Sequence, residues 1–307
     1  MAPLSACFGG DRVFFYGIYG KNCRFQTVRP LFGLMVEQTR CAETMQQTIS
    51  RLRTFFRYRE LFFQLVSRDI KLKYRRSILG YFWSILNPLF IMLIKILVFS
   101  NLFGRGIEHF PIYVITGHLL FSLMAGSSTR SVHSIIGNAG LLKKVYVPKY
   151  IFTLSAVSSE LVNFVFSLGA FFILSIATNA PLSWHLIFII IPIVQLYIFC
   201  IGLGLFLAQA AVFFRDVQHI WAVVTIAWMF LSAIFYPVDI LPDTLLYLVT
   251  HYNPMYFYIS MFRSFTIGTP NMGNLELAIR GTVAAAAMLI LGLASFSRNK
   301  NKFYLYI

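Results

Sequence analysis

Long apolar segments recur along this chain and constrain its fold more than any other feature. They lie at 81–103, 112–134, 150–176, 185–212, 218–236 and 277–297. A helix of about 20 residues crosses the hydrocarbon core of a bilayer and satisfies its own backbone hydrogen bonds. The charged fraction is 12%, about half of the roughly 25% that is usual in soluble domains. The sequence therefore predicts an all-α polytopic membrane protein with six transmembrane helices.

A further apolar stretch, Leu241–Thr269, is interrupted too often to span a membrane. Pro242, Pro254 and Gly268 break it into short pieces. Short helices at membrane depth are tolerated where protein or water covers their free backbone groups. We therefore expect a re-entrant segment of one or two short helices between transmembrane helices five and six.

The region before the first span has the pattern of an amphipathic helix. From Phe55 to Arg76, apolar side chains recur at helical spacing and basic side chains occupy another face. A basic amphipathic helix is typical of a membrane surface. It leads through a short hinge, 77–80, into the first span, where Trp83 is expected at headgroup depth. Residues 45–79 are accordingly predicted to form a cytoplasmic interface segment, followed by a transmembrane domain at 80–300.

Residues 1–44 differ from the rest of the chain in composition. They hold scattered Gly, Pro and Cys, and they lack the compact apolar core of a signal peptide. We expect an extension that is disordered or not native, with Met45 as a natural start. At the other terminus, residues 301–307 are expected to form a cytoplasmic tail.

The distribution of basic residues predicts the orientation in the membrane. The net charge is +15, and the basic residues cluster beside apolar runs, which favours contact with anionic lipids over nucleic acid. One side would carry the segment before the first span together with Lys143, Lys144, Lys149, Arg215, Arg298, Lys300 and Lys302. The other side would carry Arg105, Arg263 and Arg280. The positive-inside rule then places both termini in the cytoplasm.

Few residue patterns in this sequence suggest a catalytic, phosphate-binding or metal-binding site. A phosphate-binding Gly-rich loop is absent, and the histidines and cysteines lack metal-binding spacing. We expect no catalytic residue, no metal and no cofactor in this chain. Three charges, Lys95, Arg130 and Glu160, are predicted to be buried in the membrane, where charges are costly. Lys95 and Glu160 would either form structural pairs between helices or line a polar path, and Arg130 would reach the inner headgroups.

The loop between the second and third spans mixes apolar and basic residues. It contains Lys143, Lys144, Val145, Tyr146 and Pro148. Two interpretations remain open, a helix lying flat on the inner leaflet and a docking surface for a cytoplasmic partner.

Motifs along residues 58–300 resemble the permeases of type-2 ABC exporters, in particular the branch that exports lipid-linked polysaccharide. The similar positions are Tyr74-Arg75-Arg76-Ser77, Leu79-Gly80, Trp83, Asn87-Pro88-Leu89, Asn138, Lys144-Val145-Tyr146, Pro148, Phe213 to Val217, Ser232 to Pro237, Asn253-Pro254-Met255 and Arg263. Two positions depart from the family pattern. Ala233 stands where the family usually has proline, which leaves the kink at the outer end of the fifth span open, and Lys95 is unusual in a first span.

The resemblance implies a half-transporter whose cargo is O-antigen, capsule or teichoic acid on a lipid carrier. It implies a homodimer, joined by two copies of an ABC ATPase subunit that bind ATP and Mg. The implied headgroup site comprises Arg75, Arg76, Leu79, Gly80 and Trp83. The implied ATPase-coupling residues are Lys143, Lys144, Val145, Tyr146 and Pro148. The implied outer gate comprises Tyr236, Pro237, Asn253 and Pro254.

Two alternative functions remain open. A type-2 ABC permease for a drug or lipid would share the fold but not the cargo. A secondary transporter driven by an ion gradient would be expected to show inverted repeats and paired midplane charges. The sequence shows neither convincingly, since Glu160 is the single carboxylate within the predicted spans.

Overall fold

The computed structural model describes residues 6–9, 12–15, 57–74, 79–103, 109–144, 147–178, 184–267 and 274–299. The chain divides into two units, Met1–Arg57 and Tyr58–Ile307. In the first unit, strand β1 (Ala6–Gly9) pairs with strand β2 (Arg12–Phe15) in an antiparallel ladder. These two strands were not predicted. The rest of the predicted 1–44 extension lies outside the described residues, so its disorder stays a prediction.

The described part of the second unit is built from helices. In chain order they are α1 (Arg59–Tyr74), α2 (Trp83–Phe103), α3 (Phe110–Ser134), α4 (Ala139–Leu142), α5 (Tyr150–Ala177), α6 (Ile190–Phe213), α7 (Val217–Leu231), α8 (Asp243–Tyr252), α9 (Pro254–Ile267) and α10 (Asn274–Asn299). Helix α1 corresponds to the predicted interface helix. Helices α8 and α9 lie within Leu241–Thr269, where one or two short helices were predicted, and their re-entrant position in a membrane stays a prediction.

Five described segments are long and apolar enough to cross a membrane. They coincide with α2, α3, α5, α10 and the run His185–Phe213 that ends in α6. The fifth predicted span, 218–236, corresponds to the 15-residue helix α7 (Val217–Leu231). At 1.5 Å per residue this helix is about 22 Å long, which is shorter than a hydrocarbon core of about 30 Å. The described residues therefore contain five clear candidates for transmembrane helices, which supports a polytopic membrane protein.

Helices α3 and α9 form the centre of this unit. Of the α3 span, 72% is buried, compared with 11% for α2. Most side chains of α9 are also buried, among them Tyr258 and Phe262. Phe171 of α5 meets Phe262 edge to face, with 6.1 Å between ring centroids. The outer faces of α2, α7 and α10 are apolar and exposed, as expected for helices that face lipid.

Helix α1 packs against the start of α5 through a small apolar cluster. Leu65 of α1 is buried together with Val147, Ile151 and Phe152. The segment that connects α3 to α5 therefore shares a core with α1. We refer to this part of the second unit as the α1 end, and to the part that holds the start of α3, the end of α7 and helix α9 as the α9 end.

Candidate functional site

A tight turn follows α7 at the α9 end. The helix ends at Leu231, and Ala233 adopts φ +47°, in the left-handed region. This conformation costs a non-glycine residue about 1 kcal/mol or more. Proline, whose φ is fixed near −65°, cannot adopt it. The alanine that departs from the family pattern is therefore compatible with this turn, whereas proline would not be.

The buried guanidinium of Arg263 holds this turn in place. Its Nη1 donates to the carbonyl of Ala233 at 3.2 Å, and its Nη2 donates to the carbonyls of Ile234 at 3.1 Å and Tyr113 at 3.0 Å. Its Nε also donates to Tyr113 O at 3.2 Å. Gly117 makes room, because a Cβ there would lie 2.7 Å from Arg263 Nη2. Arg263 thus joins α9 to α3 and to the residues that follow α7.

Tyr113 supports the same turn from α3. Its ring lies beneath the guanidinium, with the central carbon of Arg263 3.4 Å from the ring centroid. Its hydroxyl donates to the carbonyl of Tyr236 at 3.0 Å. The hydroxyl of Tyr236 in turn donates to the carbonyl of Phe230, in the last turn of α7. Sequence reasoning did not identify Tyr113, which looks like any aromatic residue in an apolar run.

Asn253 connects the α8–α9 junction to the end of α7. Its side-chain amide donates to Leu231 O at 2.9 Å, and its side-chain oxygen accepts from Trp228 Nε1 at 2.8 Å and from the backbone N–H of Met255 at 3.1 Å. Pro254 is the first residue of α9, a position where a missing N–H costs nothing. Pro237 immediately precedes a 3-10 turn, Val238–Ile240. The predicted gate residues Tyr236 and Asn253 thus both bond to the end of α7.

The embedded charges each have a partner on a different helix. Glu160 of α5 accepts from Arg130 of α3 at 2.8 Å, and Arg130 also lies 3.4 Å from Asp69 of α1. Gly126 leaves space for the carboxylate, since a Cβ there would lie 2.9 Å from Glu160 Oε2. Arg130 therefore connects three helices, and its reach to the inner headgroups stays a prediction.

Lys95 joins α2 to α3 and to the turn after α7. Its Nζ lies 2.8 Å from Nδ1 of His118 and 5.3 Å from the ring centroid of Phe235. Phe99, one turn further along α2, stacks on Phe235 with 4.5 Å between centroids. Lys95 and Glu160 are thus each bonded across helices, but not to one another. Sequence reasoning missed His118 as a partner, because the order of helices in space was not known.

The implied headgroup site is described only in part. Arg75 and Arg76 lie outside the described residues. Gly80 has φ +49°, and the N–H of Phe82 donates to Leu79 O at 3.0 Å, which closes a tight turn before α2. Leu79 is 45% exposed and Trp83 40% exposed. The hinge predicted at Gly80 is therefore a sharp turn bordered by exposed apolar side chains.

Replacing Gly80 by alanine is expected to destabilise the protein by about 1 kcal/mol, because L residues are disfavoured at this φ. A Cβ at this position meets nothing within 4 Å, so the cost is conformational and not steric. Gly80→Asn is the matched control and is expected to cost less, since asparagine tolerates this region better. Thermal unfolding in detergent measures both, and a larger loss for asparagine than for alanine would contradict the explanation.

The implied coupling segment lies beside α1. Lys143 and Lys144 are exposed, Pro148 is half-buried, and Val145 and Tyr146 lie outside the described residues. Leu141 and Leu142 pack against the cluster around Leu65. Part of the apolar character of this segment is thus explained by packing on α1.

The described part of the second unit is helical and has five segments that could cross a membrane. Its α9 end holds the turn bound by Arg263, and its α1 end holds the ion pairs of Arg130. Comparison with known proteins identifies its family. Residues 60–266 match the family described as ABC-2 type transporter. The chain belongs to this family.

The relatives found by sequence comparison include permeases of polysaccharide export. The chain is 33% identical over 196 residues to the O-antigen export system permease protein RfbA of Myxococcus xanthus, covering 64% of this chain and 75% of the relative. It is 28% identical over 247 residues to RfbA of Klebsiella pneumoniae, covering 80% and 93%. It is 24% identical over 241 residues to the capsule polysaccharide export inner-membrane protein CtrC of Neisseria meningitidis, covering 76% and 89%.

Proposed function

We propose that this chain is the membrane-spanning subunit of an ATP-driven exporter that moves lipid-linked polysaccharide across the cytoplasmic membrane. The observation that carries this proposal is the set of relatives, which are named as export permeases for O-antigen or capsule and which match most of both chains. Two copies of the chain would enclose the path. Two copies of a separate ABC ATPase subunit, which bind ATP and Mg, would dock beneath them.

The α1 end has the features that a lipid carrier would need. Leu79, Phe82 and Trp83 are exposed around the Gly80 turn, and basic α1 precedes them in the chain. Arginine presents a planar fork of donors that matches phosphate geometry, so Arg75 and Arg76 remain the proposed headgroup ligands. The exposed apolar side chains would accommodate the lipid tail beside the same turn.

The proposed topology places both termini and α1 in the cytoplasm. Helix α7 and the residues up to Tyr236 would together cross the membrane as the fifth of six spans. Helices α8 and α9 would re-enter from the outer face, and Tyr236, Pro237, Asn253 and Pro254 would border the outer gate. The buried contacts of Arg263 in α9 support this placement, because they satisfy the carbonyls of Ala233 and Ile234 in the turn after α7. Such backbone groups could not be left free at membrane depth.

The relatives favour this function over the two alternatives. Their names specify export of O-antigen or capsule polysaccharide, whereas a drug or lipid permease would share only the ABC-2 family. An ion-coupled carrier is disfavoured because Glu160, its best candidate carboxylate, is paired with Arg130 in the structure.

Reconstitution tests the proposal directly. The chain, co-purified with its ATPase, should deliver lipid-linked glycan to the lumen of vesicles only when ATP is supplied on the ATPase side. An ATPase variant that cannot hydrolyse ATP serves as the control. Transport driven by an ion gradient in the absence of ATP, or ATP-driven transport of a drug and not of glycan, would overturn the proposal.

The docking role of the coupling segment gives a second test. Val145→Asp with Tyr146→Asp is expected to weaken co-purification of the ATPase by at least about tenfold, because burying an unpaired carboxylate in an interface costs several kcal/mol. Lys71→Asp, at an exposed position of α1, is the control and should retain the ATPase. Normal co-purification by the double aspartate variant would instead identify the segment as a surface anchor.

A further inference from the structure

A chain of polar contacts connects α1 with the helices and the loop around it. Asp69 of α1 lies 3.0 Å from Arg68 and 3.4 Å from Arg130 of α3. Arg130 bonds Glu160 of α5 at 2.8 Å. Arg68 also donates to the side-chain oxygen of Asn138 at 3.2 Å. We call Arg68, Asp69, Arg130 and Glu160 the charge network.

The charge network has no net charge, and its two carboxylates are largely shielded from solvent. It contains two arginines and two carboxylates, and the side chains of Asp69 and Glu160 are each 15% exposed. Arg130 stands between the two carboxylates and is a counter-charge to both, whereas Asp69 also pairs with the exposed Arg68. Removing one partner of such an ion pair strongly destabilises the protein, because the remaining charge is left without compensation.

The network links elements that have different proposed tasks. Asn138 lies shortly before Lys143, the first of the proposed ATPase-coupling residues, and its side-chain amide donates to Ser134 O at 2.8 Å. Helix α1 precedes the Gly80 turn, where the lipid headgroup is proposed to bind. Leu65 gives α1 a second attachment, through its apolar cluster with Val147, Ile151 and Phe152. Loss of a single polar contact would therefore leave α1 folded and attached.

We propose that Asp69 is a positioning residue that passes ATP-driven movement of α3, α5 and the coupling segment to α1, and from there to the headgroup site at Gly80. Asp69 acts through Arg130 and does not contact the cargo. Glu160 has a different task, because its ion pair with Arg130 joins α5 to α3. This inference rests on the proposed export function.

The test uses the full complex with its ATPase, in vesicles of phosphatidylethanolamine and phosphatidylglycerol. ATP hydrolysis is measured with and without undecaprenyl diphosphate as the headgroup probe. Asp69→Ala is expected to reduce the stimulation by the probe at least about fivefold, the lower end of typical coupling between sites. Its basal hydrolysis and ATPase binding should match those of the wild type. Asp69→Glu retains the charge and should retain most of the stimulation.

Two further variants separate coupling from stability. Glu160→Gln is expected to lower the melting temperature and to keep the stimulation, because Arg130 still holds Asp69. Glu276→Ala removes an exposed pair with Arg280, 2.6 Å apart within α10, and should change neither quantity. Wild-type stimulation in Asp69→Ala, or an equal loss of basal hydrolysis and stimulation, would overturn the inference. If the wild-type complex fails to bind an ATPase or to respond to the probe, the proposed function itself fails.

Discussion

Replacing Arg263 by leucine is expected to abolish export and to destabilise the protein by roughly 3 kcal/mol or more, because hydrogen bonds to a buried charged group contribute about 1.5–3 kcal/mol each. The substitution removes donors to the carbonyls of Tyr113, Ala233 and Ile234. The carbonyl of Ile234 would then lack its arginine partner in a buried setting. The turn after α7, which holds Ala233 in a left-handed conformation, would lose its main support.

Arg263→Lys should rescue this defect only in part. A guanidinium offers donors in a fixed planar fork, whereas a single ammonium on a flexible stem cannot reach three separate carbonyls in the same geometry. The aromatic contact with Tyr113 would also weaken. We therefore expect a melting temperature between those of the wild type and the leucine variant.

Arg280→Leu provides the matched control for Arg263→Leu. Arg280 is also an arginine near the α9 end, but its partner Glu276 is 49% exposed. Exposed pairs of this kind contribute about 0–1 kcal/mol. Thermal unfolding in detergent and glycan delivery in vesicles measure all three variants. A leucine variant at 263 that melts and exports like the wild type would contradict the bracing role.

Helix boundaries were predictable where apolar length alone decides them. The predicted spans 112–134 and 150–176 correspond to α3 (Phe110–Ser134) and α5 (Tyr150–Ala177). The helix within the predicted span 218–236 is shorter than that span, since α7 ends at Leu231. Residues 232–236 remain largely apolar, so composition gives no signal of the turn. The turn depends on Arg263 and Asn253, which lie far along the sequence.

The embedded charges show a second limit of sequence reasoning. Lys95 and Glu160 stood out because charges are costly in lipid, and both do bond across helices. Their partners, His118 and Arg130, could not be assigned, because the choice depends on which helices are neighbours. The carboxylate of Asp69 in α1 lies 3.4 Å from Arg130 of α3, and nothing in the sequence indicates this contact. Pairing within one helix is visible in sequence, and pairing between helices is not.

Close packing of α6 and α10 gives the second large expected effect. Gly202 of α6 lies against the backbone of Met288 and Leu289, and Gly292 of α10 lies against the backbone of Gly202. In both cases an added Cβ would come closer than 3.0 Å to main-chain atoms. Backbone atoms cannot move aside as a flexible side chain can, so the two helices would have to separate. Small residues that allow such close approach are typical of helix contacts in membranes.

Gly202→Val is accordingly expected to destabilise the protein by about 3 kcal/mol or more, at the upper end of overpacking effects, and Gly202→Ala by somewhat less. Gly169→Ala is the matched control, because a Cβ on this helical glycine of α5 meets nothing within 4 Å. Alanine should be neutral there or stabilise by up to about 1 kcal/mol, since it forms helix better than glycine. Equal losses of melting temperature for alanine at 169 and at 202 would show that the α6–α10 contact is not tight.

The double variant Gly202→Ala with Gly292→Ala tests whether both glycines serve one contact. Each added Cβ would intrude into the same gap between the helices, so separation caused by the first makes room for the second. The loss of stability in the double variant should therefore be smaller than the sum of the losses in the two single variants. The effects of substitutions at distant, independent sites usually add. Gly202→Ala combined with Gly169→Ala supplies that independent case. Full additivity of the substitutions at 202 and 292 would mean that each added Cβ displaces the helices independently. That result would contradict the explanation that both glycines serve one close contact between α6 and α10.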